Sequence, residues 1–569
     1  MFGKYKIKFF IIFVFLSVAW PVISRADYGG QQTGFYVDPS FDLQKRAQIT
    51  ATLIRITPSL YIYVDNVWWN GLTLDAQQKA KTSFQQLGNE YENKIQPVLT
   101  TKFGAEWQPG IDRDSHLTVL FHLMPDSSGG YVNTGDEYSR LQSLFSNERE
   151  MVYLNASYLN TDLVKVYLAH ELTHLIVFNQ KERKYGVEEE VWLNEMFAEY
   201  SPTLLGYDDN YETSNLKRRV NTFLQFPNDS LTEWKEQQAD YGVLNIFVQY
   251  LADHYGVDVL ADAMQSSKVG VSALDEALKQ NGFSETLSQV FVDWTIAVSA
   301  NDCRLGKKYC YSNKNLTNLR VVPQLNLLPF NSQGTLALTQ ELKNWSGDWQ
   351  KMIGGPGTLQ IDFNGFPDAQ FKTPYLIQYQ DGSKEIGWMA LNSSQKGDVS
   401  LIGFGANIAS VIIAPSITDK KTGFTANEKS YPYFWSASTE QLAGSQDGFL
   451  DALVLTKKIE FLEKQLVVLK IQLQEVLTGV PNVGNFLARN IKQGDSGEDV
   501  KILQTWLAKD KVIYPEGIIS GYFGVLTKAA AIRFQEKYKA EILTQFGLTA
   551  GTGFVGSATR AKLNQLYGK

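Results

Sequence analysis

Two short stretches hold residue types at spacings suited to hydrolytic metal chemistry: His170-Glu171-Leu172-Thr173-His174 and Trp192-Leu193-Asn194-Glu195. Residues four apart on a helix share a face, so His170 and His174 direct two imidazole nitrogens at one cation. Glu171 follows the first of them and lies beside the metal position rather than on it. There its carboxylate can take a proton from the attacking water. A hydrolytic zinc needs three protein ligands and one open position. Glu195 is the favoured third ligand. About twenty residues separate it from His174, enough for one helix to end, a loop to turn and a second helix to return. Glu188, Glu189 and Glu190 are nearer, but such a charge run is usually a solvated face. Glu195 stands among Trp192, Leu193, Met196 and Phe197, where a cation beside it offsets the cost of burying a carboxylate. Glu199, one helical turn further, can orient a ligand histidine from outside the coordination sphere. With five histidines in 569 residues, a chance His-Glu-x-x-His is rare. One catalytic Zn2+ follows from the donor types, which cobalt and manganese also accept.

The elements that must position these groups are legible in outline. Residues 162–180 contain no Pro or Gly and are apolar on most faces, which predicts a buried helix. The charged stretch Lys181 to Lys184 and Gly186 mark the turn after it. Residues 27–160 read as mixed α/β, with strands at Tyr61–Val64 and His116–Phe121 and a helix over Leu74–Leu99. His116 and His122 read as strand or core residues. Residues 201–300 are largely helical, with one helix running from Asp240 to Tyr255.

The two motifs, the second extended through Met196-Phe197-Ala198-Glu199-Tyr200, resemble the Glu-zincin peptidases, the group of thermolysin and the zinc aminopeptidases. The upstream segment Ser146 to Asn155 further resembles the hyicolysin family of secreted bacterial metallopeptidases, and the resemblance covers residues 35–300. Glu199 stands where the thermolysin group usually has Asp, and Met196 where aminopeptidases have Gly. The metzincin pattern is excluded, because it needs Gly at Val177 and His at Gln180. The resemblance implies a thermolysin-like α+β zinc peptidase domain. It also implies a substrate backbone bound as an added edge strand, along Gly130–Asn133 or Glu150–Asn155. By the same analogy Tyr241 is the candidate donor to the carbonyl oxygen of the substrate, against the plainer reading of a packed Tyr, with His254 a weaker candidate.

The amino terminus points outward. Lys4, Lys6 and Lys8 precede the apolar run Phe9–Ile23, and Ser24-Arg25-Ala26 offers small residues for cleavage, so residues 1–26 read as a signal peptide. Localisation is therefore expected to be secreted or at the cell envelope, with no membrane span after cleavage. Cys303 and Cys310 are the only cysteines and can pair across a small loop. A formal charge of −7 argues against a nucleic-acid partner.

The chain changes character after the peptidase region, whose lobes are expected at 27–160 and 161–320. Over 321–445, short alternating runs separated by turns such as Asn364-Gly365 and Asp381-Gly382 predict an all-β sandwich. Over 446–480, Leu455, Ile459, Leu462, Leu466, Leu469, Leu473 and Val476 recur in steps of four and three, the seam of a short coiled coil. A helical spacer packed on its own chain competes with a coiled-coil dimer there. Over 481–569, Gly494 to Gln504, Gly521 to Gln535 and Val555 to Leu563 echo one another as a Gly turn leading into an amphipathic helix. This resembles the peptidoglycan-binding domain of bacterial cell-wall enzymes, a small three-helix fold, and implies peptidoglycan as a second partner beside a protein or peptide substrate. Two functions follow: a secreted zinc endopeptidase tethered to the wall or envelope, or an inactive wall-binding or adhesive protein with a peptidase-like fold. A peptidase cutting peptidoglycan cross-links is a variant of the first.

Overall fold

The computed structural model describes residues 26–569 except 331, 356, 441–447, 479–486, 488–490, 494, 496, 545–548 and 568–569. Residues 1–25 of the segment expected to be a signal peptide, 1–26, lie outside the described residues. The chain forms two compact units, 1–180 and 181–569. Among the described residues no helix is long and apolar enough to cross a membrane.

The first unit is built on one mixed sheet. Its strands are β1 (Gln32–Tyr36), β2 (Gln48–Ile56), β3 (Leu60–Asp65), β4 (Leu117–His122), β5 (Gly130–Tyr131) and β6 (Met151–Asn155), in the order β1-β2-β3-β4-β6-β5. β3, β4 and β6 run parallel, and β5 closes the edge antiparallel to β6. Strands β3, β4 and β6 are buried along their whole length, as expected of parallel strands covered on both faces. Helices α1 (Asn66–Gly71), α2 (Leu74–Glu90), α3 (Gln96–Phe103) and α4 (Leu163–Phe178) complete the unit. A π turn at Tyr91–Ile95 joins α2 to α3, so the helical stretch expected to end at Leu99 runs on to Phe103.

α4 is apolar on nearly every side, and Val164, Leu168, Ala169, Leu172, Leu175 and Ile176 are all buried, as a helix in the middle of a core must be. It does not end at Gln180. A π turn at Asn179–Arg183 carries the helical path on, and Gly186 stops it with φ +68°.

The second unit begins with six helices: α5 (Val191–Leu204), α6 (Asn215–Gln225), α7 (Gln238–Tyr255), α8 (Val257–Gln265), α9 (Gly270–Gln280) and α10 (Leu287–Ala300). α7 packs between α5 and α6. Gly242 permits the close approach to α6, since a Cβ there would meet the backbone nitrogen of Phe223 at 2.9 Å. After α10, Cys303 and Cys310 are joined in a disulfide.

The β region follows: β7 (Gln324–Leu328), β8 (Gly334–Lys343), β9 (Ser346–Gly347), β10 (Gln350–Gly354), β11 (Gly357–Gly365), β12 (Phe371–Tyr379), β13 (Lys384–Met389), β14 (Lys396–Phe404), β15 (Ile408–Ile413), β16 (Ser416–Ile417) and β17 (Ser430–Glu440). β8-β17-β11-β14 and β7-β10-β15-β12-β13 form two ladders joined by the single pair Phe404 and Ile408. Their inward residues share one core, including Leu359, Ile361 and Trp435 from one ladder and Met352, Ile377 and Val411 from the other. Along β11 these alternate with outward Thr358, Gln360 and Asp362, the period of a strand with one buried face.

α11 (Gly448–Thr478) lies on β8 and β17. Phe461 is buried against Ala337 and Phe434, Val468 joins the sandwich core, and Lys464 pairs with Glu341 at 3.0 Å. Of the residues read as a seam, Leu455, Ile459, Leu462, Leu466, Leu469 and Leu473 are exposed rather than packed here, and the side chain of Val476 lies outside the description.

The last segment contains α12 (Glu498–Leu507), α13 (Val525–Lys537), the short α14 (Lys539–Ile542) and α15 (Ser557–Tyr567) around a core that includes Leu503, Trp506, Phe523, Phe534 and Leu563. The sequence echo has a structural counterpart. Gln504 donates to Tyr522 O (2.8 Å) and Thr527 Oγ1 (2.9 Å), and Gln535 donates to Phe554 O (2.7 Å) and Thr559 Oγ1 (3.0 Å). In each half a buried glutamine ties the preceding helix to the Gly turn and first residues of the next, satisfying backbone groups that a turn would leave unpaired.

Candidate metal centre

His170 and His174 lie one turn apart on α4, their rings 4.9 Å apart and nearly perpendicular. Thr173, between them, donates its hydroxyl to Ala169 O at 2.8 Å and so presents no loose polar group to the core. Glu171 is buried on the same helix. Gly130 of the edge strand lies against it: a Cβ at Gly130 would meet Glu171 Cγ at 3.0 Å and Tyr153 O at 2.7 Å. Of the two segments considered for an edge strand, Met151–Asn155 is interior, flanked by β4 and β5, and Gly130–Tyr131 is the edge.

Glu195 is half-buried on α5, and a donor atom from each of His170, His174 and Glu195 lies within 4.8 Å of the other two. The donor set, two imidazoles and one carboxylate, is that of a zinc site that keeps one position open.

Glu199 sits one turn beyond Glu195 and is 1% exposed. Its Oε2 accepts from Arg219 Nε at 2.8 Å, Asn245 Nδ2 at 3.1 Å and Asn215 Nδ2 at 3.2 Å, while Arg219 Nη2 pairs with Oε1. Burial works against the charge on Arg219, but the adjacent Glu199, with Tyr241 and Glu195 further off, holds its pKa above the ordinary value. A bidentate guanidinium thus fixes the outer carboxylate of α5 from α6. Arg219 was not singled out from sequence. Beside Arg218 it reads as surface charge, and only the packing of α6 turns it inward.

The ring of Tyr241 lies under Arg219, with the guanidinium carbon 4.4 Å from its centroid, and meets Trp234 edge-on at 4.9 Å. His254 is turned elsewhere, with Nε2 2.8 Å from Cys310 O in the disulfide loop. His122 is fully buried beside Asp42, and burial lowers its pKa. His116 stacks on Tyr61 and bonds Asp114. His122 is a buried strand residue, as expected, whereas His116 stands one residue before β4 and is half-buried.

The charge run before α5 is solvated only at Glu188, and Glu189 is buried. Lys181 is buried and pairs with Glu189 at 2.9 Å, and Glu189 also accepts from Gly270 N at 2.7 Å. Burial raises the pKa of Glu189 and lowers that of Lys181, so each charge depends on the other. Glu190 accepts from Trp192 Nε1 at 2.6 Å and Gly423 N at 3.3 Å. These two carboxylates anchor the start of α5, while Glu188 is exposed. A pocket of about 350 Å³ opens here, lined by Glu188, Trp192, Trp234 and Phe424 among others.

No protein-family model matches the chain. Among solved structures, the pre-peptidase C-terminal domain of collagenase from Bacillus anthracis is 8% identical, covering 20% of this chain and 96% of that one, with a TM-score of 0.14. The periplasmic lysozyme inhibitor PliG of Aeromonas hydrophila is 9% identical over 21% of this chain and 98% of its own, also at 0.14. Neither likeness carries an argument at that score. The neutral metalloprotease ShpI of Staphylococcus hyicus is 28% identical over 243 residues, 38% of this chain. The chain spans about half (52%) of the length of that curated relative. Over the matched part, this chain is a distant relative of a metallopeptidase.

Proposed function

We propose that this chain is a zinc-dependent endopeptidase that hydrolyses peptide bonds of proteins, is secreted, and is held at the cell wall or envelope by its C-terminal module. The observation that carries the reading is the convergence of His170, His174 and Glu195 donor atoms within 4.8 Å, with Glu171 next in the chain to the first of them. His170, His174 and Glu195 would hold the zinc, which when bound would supply the Lewis acidity for activating a water and polarising a peptide carbonyl. Glu171 takes the proton of the attacking water and passes it to the leaving amine. A substrate backbone pairs with the edge strand β5, where Gly130, having no side chain, lies close against Glu171. Glu199, fixed by Arg219, keeps α5 and hence Glu195 in register with the histidines.

Tyr241 is the proposed donor to the carbonyl oxygen as negative charge builds on it. Tyr241→Phe is expected to lower kcat by about 10²-fold with KM little changed, the size seen for loss of one such donor. Unchanged turnover would remove Tyr241 from the mechanism and leave it as packing for Arg219.

The reading is tested by digesting a mixed peptide library with the purified protein, with and without chelator. Internal cleavages that vanish with chelator and return with zinc are expected. No cleavage by zinc-loaded protein favours the inactive wall-binding protein, and trimming from chain ends excludes an endopeptidase.

A further inference from the structure

α11 is buried on one side only. Among its described side chains, Phe461 and Val468 pack on the β region, with Val454, Lys457 and Lys464 beside them and Gln472 donating to Asp368 at 3.3 Å. On the other side Leu455, Ile459, Leu462, Leu466, Leu469 and Leu473 are between 49% and 60% exposed. With Ile459, Leu466 and Leu473 at heptad position a and the other leucines at d, Val454, Phe461 and Val468 fall at c, nearly opposite the seam. So regular a stripe of large apolar side chains facing water is costly for a monomer and marks an interaction surface.

We propose that this face of α11 pairs in parallel with α11 of a second copy of this chain, making the protein a homodimer. Three observations favour a second copy. An a/d seam is self-complementary, so a two-fold axis along it sets each a and d layer against its own counterpart. Lys458 at g reaches Glu463 at e of the other helix, an opposite-charge pair made twice by the symmetry. Ile at a with Leu at d, the pairing in the layers of Ile459 and Leu462, suits two strands. An isolated helix of this length pays for its own ordering on pairing, but here the sandwich already holds α11 helical. The β region contacts α11 mainly at its c positions and reaches the g flank through Gln472, which donates to Asp368 at 3.3 Å, while the a and d side chains from Leu455 to Leu473 stay exposed.

Sedimentation of the full chain tests this. A mass of twice the chain is expected, falling to the single chain in Leu462→Glu/Leu466→Glu, whose sites are exposed and tolerate charge in the folded protein. Lys458→Glu alone is expected to weaken the dimer, and Lys458→Glu/Glu463→Lys to restore it. Cys303 and Cys310 are bonded to each other, so Leu462→Cys adds a single thiol that is expected to cross-link two chains in a parallel pair. A monomeric wild type at the highest attainable concentration overturns the proposal. So does a dimer that survives Leu462→Glu/Leu466→Glu, or an antiparallel one in which Leu462→Cys fails to cross-link.

Discussion

Glu171→Gln is expected to bind zinc like the wild type and to lose peptide hydrolysis by about 10²–10⁴-fold, the range that a positioned general base contributes. Gln keeps the shape and the hydrogen-bonding reach of Glu but cannot accept the proton. Because Glu171 is buried with Gly130 packed against its Cγ, an amide of equal size is accommodated where a larger or branched residue would displace the edge strand. Zinc content by elemental analysis and turnover on a quenched peptide, measured on the same preparation, separate the two effects. Equal hydrolysis by the variant would sink the assignment of Glu171, and loss of zinc would make it a ligand rather than a base.

The second large effect is on Arg219. Arg219→Met removes the counter-charge of Glu199, which is 1% exposed, and leaves a carboxylate stranded in the core. Breaking a buried pair in this way costs about 3–5 kcal/mol, whereas replacing both members by apolar groups is often nearly neutral. Arg219→Met is therefore expected to loosen α5, α6 and α7 in hydrogen exchange, and Arg219→Met/Glu199→Leu to recover much of that protection. Zinc affinity is expected to fall about 10–100-fold in both, because Glu195 shares α5 with Glu199 and outer-shell support is lost either way. Wild-type protection and zinc affinity in Arg219→Met would show that the pair neither stabilises nor positions.

Arg219 also shows where a sequence stops being readable. His170, Glu171 and His174 are legible because their relation is local: one helix, one face, fixed by the 3.6-residue period. Glu195 and Glu199 share a face of α5 for the same reason. Arg219 meets Glu199 across two helices, and no spacing rule links residues on different elements. Glu189 departs from the solvated face expected of Glu188–Glu190 for a related reason, since its partners are Lys181, on the preceding helical path, and Gly270, far along the chain. Strand alternation over 357–438 was legible because a sheet with one buried face imposes a period of two. Which runs pair was not, because β7 lies beside β10 and β8 beside β17, pairings between strands that do not follow one another in the chain.

What the sequence by itself determined is the set of local faces: two histidines and a base on α4, two carboxylates on α5, a heptad stripe on α11, and Gly turns with their glutamines in the last module. What only the tertiary structure decided is what each face meets. It brought Glu195 to the histidines, gave Glu199 a guanidinium, made Gly130 rather than Glu150 the sheet edge, and set α11 on the sandwich by its c positions, leaving the heptad seam outward. The physical reason is that periodicity is a property of one segment, while burial is a property of whatever the rest of the chain brings against it.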